Sequence, residues 1–342
     1  MRVLAVQPGP GFSVSDVHAG YVKALRGLGC QVVDFNLSDR LALYELAHLP
    51  DHEGGYRKAF PLEAAVSLAV KGVEAAAYEV WPDVVLVTSG FFLQPAHYQL
   101  MRRRGHKVVL LCTEQPYELE RELRLAPLVD LVLLNDPTHI EHFVEQNTET
   151  YYMPHAYDPE VHYPGPGQAE LASDFALVGT GYPSRIEFLE RVDWDGVDAA
   201  LAGNWQALEE SSRLRRFVAH DLAECCPNEL AAELYRATKA SANLYRREAQ
   251  RPDLADGWAT GPREVELAAC GVPFLREHRG EGDELFPHHP VFETPEEFGE
   301  QLRWLLANDD VRAKLGQQGR EAIAERTFTN HAKRLLRLLD KE

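Results

Sequence analysis

Short runs of uninterrupted apolar residues alternate along the chain with longer segments whose apolar positions recur every three or four residues. RVLAVQ (2–7) is followed by VHAGYVKALRGLG (17–29), in which Val17, Tyr21, Leu25 and Leu28 share one helical face and Gly29 supplies a stop. QVVDFN (31–36), DVVLVTSG (83–90), KVVLLCTE (107–114) and LVDLVLLND (128–136) read as further strands. LEAAVSLAVKGVEAAAYEV (62–80), ended by Pro82, and PAHYQLMRRRG (95–105) read as helices. Strands that are apolar throughout belong in a parallel sheet covered on both faces. The pattern predicts a doubly wound, Rossmann-like domain over residues 1–165.

HYPGPGQ (162–168) interrupts the pattern as a linker, and the alternation then restarts. DFALVG (174–179), the second half of ATKASANLY (237–245) and VPFLRE (272–277) read as strands. Helices are predicted at about 229–239, at VELAACG (265–271), and at 295–307, 309–325 and 329–340. The expectation is a second Rossmann-like domain over 170–325 and a C-terminal helix over 326–342. In such an α/β fold the two domains face a cleft at the carboxyl ends of their strands, where ligands bind.

Charge and cysteine usage narrow the partners. The 342 residues carry 35 Lys+Arg against 53 Asp+Glu, a net charge of −18. Residues 1–168 hold 13 basic against 21 acidic groups (−8) and the remainder 22 against 32 (−10), so neither half is a basic arm. That balance opposes non-specific coating of nucleic acid or of an anionic membrane. The five cysteines have no CxxC spacing, which argues against a disulfide framework or a zinc ribbon. Without a signal-peptide pattern or an apolar stretch of about 18 residues, a soluble cytoplasmic protein with no membrane insertion is expected.

Several residues could carry chemistry. Gly179, Thr180 and Gly181 follow a strand and open a helix, so their backbone N–H groups and the helix dipole could meet an anion, with Arg185 as a guanidinium fork. The alternative is a strand–helix turn with a solvated Arg185. The first domain has no G-x-G-x-x-G, its Gly9-Pro10-Gly11 being proline-rich, which counts against a dehydrogenase. Arg263 and Glu266 share a face at the start of a later helix, where one suits a phosphate and the other sugar hydroxyls, unless the acids there serve only the dipole. Tyr245, Arg246 and Arg247 close the preceding strand, and either arginine could add positive charge. Candidate general bases are His18 and Asp16 at the first helix, Glu114 and Asp136 at strand ends, and His155 in the inter-domain segment. Asp136 suits an N-cap before Pro137 equally well. Gly11, Ser13 and Arg103 are candidate acceptor contacts. Arg102-Arg103-Arg104, with His106 and Lys107, either complements a helix end or attracts an anionic partner such as nucleic acid. Asp193-Trp194-Asp195 and His288-His289 are not expected to bind metal.

R-E-V-E-L-A-A-C-G-V-P-F-L (263–275) resembles the donor-binding helix of GT-B glycosyltransferases, especially those with a CgeB-like (spore-maturation type) C-terminal domain. YMPHAYDPEVHYP (152–164) is similar to the segment joining the two domains of family-4-like enzymes. FALVGTGYPSR resembles the opening of their nucleotide domain, SANLYR (241–246) the strand before the donor loop, and RTFTNHAKRLLRLL the closing helix that in those enzymes crosses back to the first domain. The resemblance implies transfer of a sugar from a UDP- or GDP-sugar to an acceptor hydroxyl, with no metal or other cofactor and with Glu266 on the nucleotide ribose. It implies rivals of the same fold: a DNA glycosyltransferase acting on hydroxymethylated pyrimidines, a non-catalytic nucleotide-sugar-binding protein, and a nucleotide-sugar epimerase. Many family-4 enzymes carry a first glutamate eight residues before the second; here that position is Trp258.

Overall fold

Parallel pairing dominates both halves of the chain, as apolar runs without alternation require. The computed structural model describes residues 1–10, 14–52, 54–146, 148–221 and 225–340. They divide into two compact units, one of Met1–Met153 with the residues from Ala332 onward, the other of Pro154–His331.

In the first unit the chain runs β1 (Arg2–Val6), α1 (Ser15–Gly27), β2 (Gln31–Phe35) and α2 (Leu37–Glu45), then an antiparallel hairpin of β3 (His48–Pro50) and β4 (Tyr56–Lys58). It continues through α3 (Leu62–Val80), β5 (Val84–Thr88), α4 (Pro95–Arg103), β6 (Lys107–Leu111), α5 (Leu119–Leu125), β7 (Leu131–Leu134), α6 (Ile140–Val144) and β8 (Glu149–Tyr152). Six parallel strands form a sheet in the order β2-β1-β5-β6-β7-β8. Val3 of β1 lies opposite Val32 on one side and Val84 on the other. The chain winds outward from β1 in one direction and returns to its other side at β5. The gap between the carboxyl ends of β1 and β5 is therefore the switch point of the sheet, where neighbouring loops diverge and leave a crevice.

The second unit repeats the plan with β9 (Ser173–Val178), α7 (Pro183–Arg191), β10 (Ala199–Gly203), β11 (Val218–Asp221), α8 (Asn228–Ala237), β12 (Thr238–Asn243), α9 (Pro262–Cys270) and β13 (Phe274–Arg276). Its parallel sheet runs β11-β10-β9-β12-β13, so its switch point lies between β9 and β12. Helices α10 (Gly280–Leu285), α11 (Pro295–Ala307) and α12 (Asp309–Ala322) follow, and α13 (Phe328–Leu339) begins in this unit, its residues from Ala332 onward grouping with the first. One face of the sheet is filled by an aromatic cluster in which Phe175 meets Trp194 at 5.4 Å and Phe298 at 5.7 Å between ring centroids. Residues 154–168 group with this unit: Tyr157 bridges Thr327, and the backbone at Gly167 runs against Ala237 too closely for any side chain.

Helix α9 is gripped at its carboxyl end. Gly271 closes it at φ +75°, and a methyl group on Gly316 of α12 would fall inside the Gly271 carbonyl. Gly319 lies one turn on, facing Ala268. Gly316→Ala is expected to cost about 1–3 kcal/mol, because the obstacle is backbone. Gly27→Ala, at a helix position with open space around it, is expected to be neutral or to stabilise by up to about 1 kcal/mol. Urea midpoints of the two variants check the contrast.

Burial lowers His162 to about 4 and His289 to about 3. Both are neutral in the folded chain near pH 7, while the unfolded chain takes up protons near pH 6.5. Their contribution is thus complete above about pH 6.5 and is lost as pH falls, by up to about 1.4 kcal/mol per pH unit for each. His289→Phe, which keeps a ring against Phe274 and Phe286, is expected to flatten the acid limb of stability measured by urea titration from pH 7 to 5.

Candidate active site

The switch point of the second unit gathers the residues with the most chemistry. Gly179 follows β9 directly, and its φ of +148° suits glycine. A side chain there would also overlap the Arg263 guanidinium. Arg263 reaches under the loop from the first turn of α9, donating from Nε to the Val178 carbonyl (2.5 Å) and from Nη1 to Asn243 Oδ1 (2.8 Å). Its Nη2 has no hydrogen-bond partner among the described residues. Asn243, at the end of β12, is buried, and its Nδ2 is likewise unpartnered. It sits beside Gly261, the residue that caps α9. Glu266, one turn into α9 and half-buried, lies 3.4 Å from the Tyr235 hydroxyl.

Around this core the loops are stiffened by ion pairs and stacked planes. Tyr245 donates through its hydroxyl to Glu264, takes Glu277 at its backbone N–H (2.6 Å), and carries the Arg279 guanidinium on its ring at 4.1 Å. Glu264 is fully buried, accepts the Gly261 N–H at 2.7 Å, and is pushed above the usual carboxylate range by that burial. Arg246 lies over the Tyr182 ring at 5.9 Å, and Arg247 pairs with Asp256 and Glu277. Trp258 packs its indole against Gly280.

The glycine loop itself departs from the expected anion cradle. Gly179 N–H is spent on the Ala202 carbonyl (2.8 Å) and Gly181 N–H on that of Asn204 (2.7 Å). Arg185 is buried; its Nη1 donates to Thr180 O and its Nη2 to Leu244 O, both at 2.5 Å, so it braces the loop instead of presenting a fork. The start of α7 already holds a carboxylate. Glu248 accepts the Ser184 N–H (3.0 Å) and hydroxyl (3.1 Å), and these bonds keep its pKa low against the opposing effect of burial. The start of α9 also holds a carboxylate, Glu264 on the Gly261 N–H, but there the Arg263 guanidinium stands in the same turn. Asn243 and Glu248 do not stand out in the sequence. Asn243 is visible there only as a polar end to an apolar strand, and Glu248 meets Ser184 across 64 residues.

In the first unit the expected base His18 is 2% exposed and bonded on both ring nitrogens, Nδ1 to Thr88 Oγ1 at 3.1 Å and Nε2 to Asp34 at 2.9 Å. It fastens α1 to the sheet, and its hydrogen bond holds Asp34 below the usual carboxylate range. That is a correction to a catalytic reading of His18. Asp16 is half-buried in the first turn of α1, and Glu114 is half-buried just beyond β6. Asp136 accepts from Thr138 N–H (2.8 Å) and from its hydroxyl (2.5 Å), a turn-forming role. His155 is half-buried in the second unit. Gly11 and Ser13 lie outside the described residues. Arg103 is exposed at the carboxyl end of α4, immediately before β6, and so sits at the amino edge of the sheet, opposite the switch point. Its neighbours are engaged there: Arg102 pairs with Asp130, and Arg104 stacks on Tyr78 and Trp81. Asp193 pairs with Arg303, and Trp194 is buried. Among the described residues, no three His, Cys, Asp or Glu side chains are grouped to hold a metal, and no helix is long and apolar enough to cross a membrane.

Comparison with known proteins extends this picture. Residues 171–339 match a family model described as glycosyl transferase-like. No curated protein sequence matched the chain. Among solved structures, sucrose-phosphate synthase from Thermosynechococcus elongatus aligns with a TM-score of 0.68 at 14% identity, covering 99% of this chain and 98% of that one. A UDP-forming α,α-trehalose-phosphate synthase from Burkholderia xenovorans aligns at 0.62 and 13%, covering 99% and 98%. A putative UDP-N-acetylglucosamine 2-epimerase from Listeria monocytogenes aligns at 0.62 and 14%, covering 99% and 95%. The chain has the GT-B fold of two Rossmann-like domains, and its second half carries a glycosyltransferase-like signature.

Proposed function

We propose that the protein is a glycosyltransferase that moves a sugar from a nucleotide-sugar, a UDP- or GDP-sugar, to an acceptor hydroxyl without a metal or other cofactor. The observation that carries this reading is the convergence of Arg263 Nη2 and Asn243 Nδ2 at the start of α9, at the switch point of the second sheet. A leaving diphosphate needs donors fixed in advance where negative charge grows, and these groups supply them without a cation. Glu266, on the same face of α9 as Arg263, is placed to accept from ribose hydroxyls. The R-E-V-E-L-A-A-C-G pattern supports a CgeB-like second domain, and the UDP-forming neighbour favours UDP as the first nucleotide to try. With His18 engaged internally, Glu114, Asp16 and His155 are the remaining candidates for the base. A DNA acceptor loses its main support, since Arg102–Arg104 lie at the amino edge of the first sheet.

Trp258, where many family-4 enzymes have a glutamate, favours one alternative, a binding protein that holds the donor without transferring it. Slow hydrolysis of a UDP-sugar by the wild type, lost in Arg263→Ala, is the outcome expected of an active site. UDP binding measured by calorimetry is expected to weaken at least about tenfold in Arg263→Ala and several-fold in Glu266→Ala. Failure of the wild type to bind UDP or GDP would sink the proposal.

The placement of the diphosphate at α9 has its own test. Glu248→Ala uncovers the Ser184 N–H at the start of α7, and UDP affinity is expected to stay within about twofold of wild type. A tightening of tenfold or more would put the phosphates at α7 instead.

A further inference from the structure

Tyr235 is a phenol in a place that a phenylalanine would fill. It lies near the end of α8, 1% exposed, and packs with Ala231, Leu234, Leu267, Ala268 and Phe274 in an apolar cluster. A hydroxyl taken from water into such surroundings costs free energy unless it finds a partner. Its one hydrogen-bond partner among the described residues is Glu266 Oε2, at 3.4 Å and 31 residues along the chain. The direction of that bond is fixed. Burial raises the Tyr235 hydroxyl well above its usual pKa, the Glu266 carboxylate raises it further, and the Arg263 guanidinium acts the other way. The phenol therefore keeps its proton and is the donor. It also lies within electrostatic reach of both charged groups on the site's face of α9.

Those two groups are not paired with each other, although helical spacing favours it. Arg263 and Glu266 stand three residues apart on one face of α9, a separation at which opposite charges attract. Arg263 instead donates to the Val178 carbonyl and to Asn243 Oδ1, both neutral, and makes no ion pair among the described residues. An ion pair with Glu266 would cancel the charge that a diphosphate needs, and would occupy the carboxylate as well.

We infer that Tyr235 is a positioning residue: its hydroxyl holds Glu266 away from Arg263, so that the guanidinium stays available for the diphosphate and the carboxylate for the ribose. The inference rests on the glycosyltransferase reading for its purpose, and its first test is made without a ligand. Tyr235→Phe keeps the ring and removes the hydroxyl, which releases Glu266 to fold back onto Arg263. Arg263→Gln, Glu266→Gln and their combination are compared by urea unfolding, with Tyr235 intact and with Tyr235→Phe. With the tyrosine intact, the two changes are expected to act independently, their effects on the unfolding constant multiplying to within about twofold. With Tyr235→Phe they are expected to couple at least about fivefold, through the new ion pair. Equal coupling in the two backgrounds overturns the inference and leaves Val178 and Asn243 as what keeps Arg263 apart.

Calorimetry with inorganic pyrophosphate, which has no ribose, gives a second readout. Tyr235→Phe is expected to weaken its binding at least about fivefold. Adding Glu266→Gln, which cannot neutralise the guanidinium, is expected to restore affinity to within about twofold of Glu266→Gln alone. A loss that persists in the double variant is a packing effect and overturns the inference. UDP calorimetry on the same samples separates the two readings. If wild type binds UDP and the coupling is equal in both backgrounds, the positioning role falls alone. If coupling appears only with Tyr235→Phe and wild type binds neither UDP nor GDP, the positioning role stands while the glycosyltransferase reading falls.

Discussion

The second unit depends on one placement, the Arg263 guanidinium packed beneath Gly179. It ties α9 to the ends of both β9 and β12, the strands on either side of the switch point. Because Gly179 has no side chain, the guanidinium can enter. Because Arg263 is then held by Val178 and Asn243, its remaining amino group keeps a fixed position at the mouth of the crevice. Gly203 of the neighbouring strand packs against the Gly179 backbone from the other side, leaving little freedom in the loop. A charged group held by neutral carbonyl and amide oxygens retains its charge for an incoming anion, whereas one neutralised by a carboxylate does not. Arg263 belongs to the first kind, whereas Arg121 of the first unit, paired with Glu118 and Glu122, belongs to the second.

Much of the fold was legible because it follows from a local rule. Uninterrupted apolar runs mark buried parallel strands, and helix α3 was bounded at Leu62 and Val80 by Pro61 and Pro82. What escaped was weakly patterned. Strand β10, Ala-Ala-Leu-Ala-Gly, has no β-branched residue, and the edge strand β11, Val-Ala-His-Asp, has polar side chains in half its positions. The hairpin β3–β4 is exposed throughout and carries no hydrophobic signature.

The site was less legible than the fold, for a physical reason. Sequence shows which groups could act but not which are already engaged. His18 looked available until Thr88 and Asp34 closed on it, from 70 and 16 residues away. Gly179 and Gly181 have the geometry of an anion loop, yet their amides are used in holding β9 to β10. The helix start at α7 is filled by Glu248, a contact no local pattern encodes. Arg263 and Glu266, by contrast, lie on one helix three residues apart, and that relation needs nothing beyond helical geometry.

Helix α9 is held at both ends, by Arg263 and Glu264 at its start and by the glycine contacts of α12 at its finish. A helix fixed in this way has little motion left to lose when a ligand arrives. The cost of ordering the site has been met during folding, so a nucleotide would meet donors already in position. The heat-capacity change on binding would then report the surface buried by the ligand itself, with little added by ordering of the protein around it.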